Sequence, residues 1–141
     1  MIQYLLRFPL YLAVIILRYP LAFIAIGFFA KRGALLFPFK WLSTIDNDTY
    51  GDSGWKAEHL IGTSPESYFN QVRWLWRNGG NYFNYYCIGV PFSGRPHWAF
   101  WYKRRIPFFF KRFLDLRIGW SDYALQDRCK YVFTLRVKTK E

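Results

Sequence analysis

The chain has 141 residues, a formal net charge of +11 and an aromatic content of 23%. That length holds one small domain beside any anchor, and so basic a balance implies an anionic partner: phospholipid, nucleic acid or an acidic protein surface. Two cysteines, Cys87 and Cys129, allow one disulfide without requiring it, show no metal-ligand spacing and are read as a reduced pair.

Residues 8–30, FPLYLAVIILRYPLAFIAIGFFA, carry one charge, Arg18, between Arg7 on one side and Lys31 and Arg32 on the other. As a helix the run is about 34 Å long, enough to cross a bilayer core. A central Arg costs about 2.5–3.5 kcal/mol on an insertion scale, and the Leu, Ile, Val and Phe residues return roughly 4–8 kcal/mol together. Insertion wins. Pro20 is expected to kink the helix where Arg18 seeks water or a partner. A membrane-crossing anchor is the expectation. An in-plane or hairpin anchor and burial within an assembly are the other readings, and Arg18 is out of place in a signal peptide. Lys31, Arg32 and Lys40 after the run place the carboxyl end in the cytoplasm by the positive-inside rule.

Residues 33–42 stay apolar but are too few for a second span, so Trp41 reads as part of a juxtamembrane belt. The anchor and belt are therefore assigned to 1–42 and a small α+β domain to 43–141. Residues 43–54 form an acidic, turn-rich loop. Counted from Asp46, an EF-hand would need an oxygen ligand at Tyr50 and Glu at Ala57, and both positions fail. Asx turns are the expected use of these carboxylates.

Residues 55–61 suggest a short helical turn, with His59 packing rather than reacting. A helix is predicted over 65–77, with Ser64 as cap, Pro65 in the first turn, and Tyr68, Val72 and Leu75 on one face. From Asn81 the period falls to two, predicting strands at 82–90, 97–105, 112–120 and 130–138. The expected fold is α+β: an N-terminal apolar helix, then one helix on an antiparallel sheet of about four strands.

No nucleophile–base spacing, phosphate loop, HExxH or CxxC pair is present, so neither an enzyme nor a cofactor or metal site is expected. The chemistry-bearing stretch is basic and aromatic: Trp98, Trp101, Lys103, Arg104, Arg105, Lys111 and Arg112, interleaved with phenylalanines. Rings and cations together suit an anionic membrane surface, or single-stranded nucleic acid stacked on the rings.

Asp46-Asn47-Asp48, Gly51-Asp52 and Trp55, then Trp74-Leu75-Trp76-Arg77-Asn78, then Ile118-Gly119-Trp120 and an aromatic closing strand form a set. Over about residues 41–137 this set resembles a family of small uncharacterised proteins encoded by tailed bacteriophages. Gly79 stands where that pattern has proline. The resemblance implies context and no activity: a phage product at the host envelope or in the virion. The expected function is thus a membrane-anchored phage accessory or interaction protein at the host inner membrane. A neck, tail-lumen or ejection protein of the virion is the alternative, and a single-stranded nucleic-acid-binding module a further one. Partners would be the bilayer, other phage proteins or further copies of the chain.

Overall fold

A computed structural model of the chain describes residues 2–92, 102–108, 112–121 and 127–139. The apolar run at the amino end forms one helix, α1 (Ile2–Phe29), which carries Pro9 and Pro20 within it. At 1.5 Å per residue its 28 residues extend about 42 Å. A two-residue hairpin ends it. Strands β1 (Ala30–Lys31) and β2 (Ala34–Leu35) pair across Arg32 and Gly33, both at positive φ (50° and 78°), as a type I′ turn requires.

A 3₁₀ turn follows at Phe39–Leu42, then helices α2 (Ser53–His59), α3 (Tyr68–Asn78) and α4 (Asn81–Tyr86). The acidic loop serves its neighbours: Asp48 Oδ1 accepts from Tyr50 N at 2.9 Å, and Asp52 Oδ1 caps α2 by accepting from Trp55 N at 2.6 Å. The predicted helix at 65–77 starts later than expected. Ser67, not Ser64, is the cap and accepts from Asn70 N, while the Ser64 hydroxyl holds a turn by accepting from Glu66 N.

The strand predicted at 82–90 is mostly a helix. Gly80, at φ 85°, turns the chain sharply out of α3, and Tyr82 N then donates to Ser43 O at 3.0 Å. Six aromatic-rich residues are too few to display a helical period, and their packing against the 3₁₀ turn overrides strand propensity. Only Val90–Pro91 of that segment is extended, as β3.

Strands β4 (Tyr102–Phe108), β5 (Arg112–Ser121) and β6 (Arg128–Thr139) form an antiparallel meander, and β3 joins the far side of β6, giving the order β3-β6-β5-β4. The two long strands pair from Arg112↔Thr139 to Ser121↔Lys130. Residues 97–101 of the second predicted strand lie outside the described residues, and the rest falls in β4. The fold is α+β, as the sequence led one to expect.

Two cores share α1. Its carboxyl half contributes Ala22, Ala25 and Ile26 to a cluster with Leu42, Trp55, Val72, Trp74 and Leu75. Its amino half contributes Tyr4 and Tyr11 to a second cluster with Ile88, Trp120, Cys129 and Tyr131. The apolar helix is therefore the common wall of the domain.

Candidate functional site

Helix α1 has two sides of different chemistry. On the packed side, Tyr4 stacks on Tyr131 with centroids 4.2 Å apart, and its hydroxyl donates to Val132 O at 2.5 Å. One helical repeat on, the Tyr11 hydroxyl donates to Phe133 O at 2.7 Å. Between them Arg7 donates to Ile88 O at 3.1 Å, with its guanidinium 5.5 Å from the Trp120 ring centre. Farther along, side chains of α3 reach back to α1. The Trp76 indole donates to Tyr19 O and the Tyr68 hydroxyl to Phe23 O, both at 3.0 Å.

The other side is apolar and, among the described residues, uncovered. Ile2, Leu6, Leu10, Ile16, Ile24 and Phe28 are all exposed, Phe28 to 82%. Every exposed position of α1 is uncharged, and only Gln3 and Tyr19 bring a polar group. The surface continues past the helix end, where Leu36 N donates to Phe29 O at 2.8 Å and Phe37 is 89% exposed. Helix α1 is long and apolar enough to cross a bilayer.

The residues expected to set an anchor are distributed unevenly. Arg7 is on the packed side. Arg18 is half-buried, with its guanidinium 5.2 Å from the Tyr19 ring centre, and its Nε has no hydrogen-bond partner among the described residues. Pro20, Lys31 and Arg32 are exposed. Trp41 is partly buried, set edge-on to Phe83 at 6.2 Å, and packs against the first core.

Of the basic-aromatic stretch, Trp98, Trp101 and Lys111 lie outside the described residues. Lys103, Arg104 and Arg105 are placed on β4 by their backbone, and Arg112 is exposed at the start of β5. The pairing sets Arg105 opposite Asp115. Asp115, only 2% exposed, is bridged by Arg117 at 2.9 Å and by Lys138 at 3.6 Å. That buried carboxylate was missed in the sequence, where it is simply the one acid in an alternating strand.

The motifs of the central segment converge on a polar pocket of about 140 Å³ lined by Asp46, Asp52, Trp74, Asn81, Tyr85 and Lys130. Lys130 donates to Asn81 Oδ1 at 3.1 Å and lies 5.8 Å from the Tyr85 ring centre. Burial pushes its pKa down, with Asp46 opposing. The pocket joins α3, α4 and β6 through a lysine that sequence spacing does not single out. His59 packs on Trp55, with ring centres 4.5 Å apart, and its Nε2 sits 2.5 Å from Arg77 Nη1. Cys87 is exposed, and Cys129 is buried in the second core.

The chain is thus an α+β domain with an uncovered apolar helix for one wall. It belongs to a family of unknown function, DUF7338, whose pattern matches residues 1–99, from α1 through β3. No curated protein and no solved structure matches the chain.

Proposed function

We propose that this chain is a non-enzymatic phage accessory or interaction protein that works at the host envelope, held there by the outer side of α1. The observation that carries the reading is the uncharged exposed side of that helix, continued by Leu36 and Phe37. Exposed apolar surface on this scale marks an interaction face. Hydrocarbon is the partner that asks for no polar counterpart. The net charge of +11 favours an anionic leaflet such as the inner face of a bacterial inner membrane, with the rest of the domain in the cytoplasm. The phage context rests on the sequence resemblance.

Flotation with sealed vesicles of anionic phospholipid tests this. The wild-type protein should float, and Leu10→Asp/Leu17→Asp, two exposed positions one helical repeat apart, should remain at the bottom. Each Asp costs about 3 kcal/mol in apolar lipid, so the pair should lower partitioning by more than a hundredfold. If the wild-type protein stays at the bottom while purified particles contain it, the apolar side is a subunit contact in a virion and the membrane reading is wrong.

A further inference from the structure

Resting on the reading that α1 meets lipid, we propose that the helix lies along one leaflet, parallel to the bilayer surface, and does not cross it. The bonds to the rest of the domain run along its whole length. Tyr4, Arg7 and Tyr11 hold the amino half to β6 and the segment before β3, while Trp76 and Tyr68 hold Tyr19 and Phe23. Crossing needs about 20 consecutive residues surrounded by lipid. No stretch of α1 that long is free of the domain. A crossing helix would have to break these bonds or draw β6 and α3, with Arg73 and Arg77, into hydrocarbon.

The placement of charge agrees. Arg7 and Arg18 both avoid the exposed side. Across a bilayer Arg18 would sit near the midplane, but along a leaflet it stays on the protein side, at headgroup depth. Lys31 and Arg32, exposed just beyond the helix, are placed to meet lipid phosphates, and Phe28 and Phe37 to enter the acyl boundary beside them.

The test uses the full chain bound to sealed anionic vesicles. Gln3→Cys and Lys31→Cys, made separately with Cys87→Ser, place a thiol at each end of α1. A membrane-impermeant maleimide added outside should label both fully before any detergent. Protection of either end until the vesicles are lysed would overturn the in-plane placement while leaving membrane attachment intact. Failure of the wild-type chain to bind the vesicles would overturn both. A second readout is Arg18→Leu. In the plane it should change vesicle affinity less than threefold, whereas a helix crossing at Arg18 should bind about a hundredfold tighter, the conversion of about 3 kcal/mol.

Discussion

If α1 is a wall of the domain, loosening its grip on the sheet must destabilise the whole fold. Tyr4 and Tyr11 supply that grip. Both are buried, both donate to backbone carbonyls of β6, and both rings contact Tyr131, at 4.2 and 4.9 Å. Replacing both with Phe keeps the rings and removes two hydrogen bonds, each worth about 1 kcal/mol net. Replacing Tyr4 with Ala also removes a packed ring, a loss of about 3–5 kcal/mol for a large aromatic in a core. With a urea slope of about 2 kcal/mol per molar, the double Phe variant should unfold about 1 M earlier and Tyr4→Ala about 2 M earlier. Tryptophan fluorescence reads the transition, because Trp120 packs edge-on against Tyr4 at 5.5 Å. If Tyr4→Ala unfolds at the wild-type midpoint, α1 is not part of the folded unit, and the docking on which its orientation was argued does not exist.

Gly80→Ala probes the same helix from the other side. At φ 85° any side chain is strained, and a Cβ there would meet Val14 Cγ1 of α1, so a loss of about 1–3 kcal/mol in stability, read as an earlier urea midpoint, is expected and an unchanged midpoint would count against that packing. Lys130 makes stability depend on alkaline pH. Its folded pKa lies below the ordinary 10.5, so the folded protein releases its proton first. The burial penalty is present in full below the folded value and is relieved as pH climbs from there towards 10.5. The stability of wild type relative to Lys130→Met should therefore rise across that window, and a difference flat in pH would mean that Lys130 is solvated.

Where side-chain period was strong, the sequence was a good guide. Strands β5 and β6 lie within about two residues of the predicted 112–120 and 130–138, because alternation pins a two-sided strand. The third helix was visible from its apolar face, while its start was blurred by two serines three residues apart that are both able to cap. The fourth was hidden. Tyr82, Phe83, Tyr85 and Tyr86 have strand-forming side chains, and only the corner at Gly80 makes them helical. The candidate site was half legible. That α1 is apolar and long was plain, but a run apolar all round has no obvious inside. The clue lay in its polar residues: Tyr4, Arg7, Tyr11 and Arg18 follow helical spacing along one face, and that face meets the protein.

One bond described above bears on how the protein is made. The hydroxyl of Tyr4 finds its acceptor 128 residues later, on the last strand. At synthesis rates of about 5–20 residues per second, α1 leaves the ribosome roughly 6–26 s before β6 exists. Throughout that interval the amino half of the helix lacks its final inner cover, while α3, made earlier, can already reach the carboxyl half. On the proposed function, a membrane can meet the amino half of α1 before β6 is made. Attachment would then precede folding, with the last strand claiming the inner side of a helix already resting on lipid.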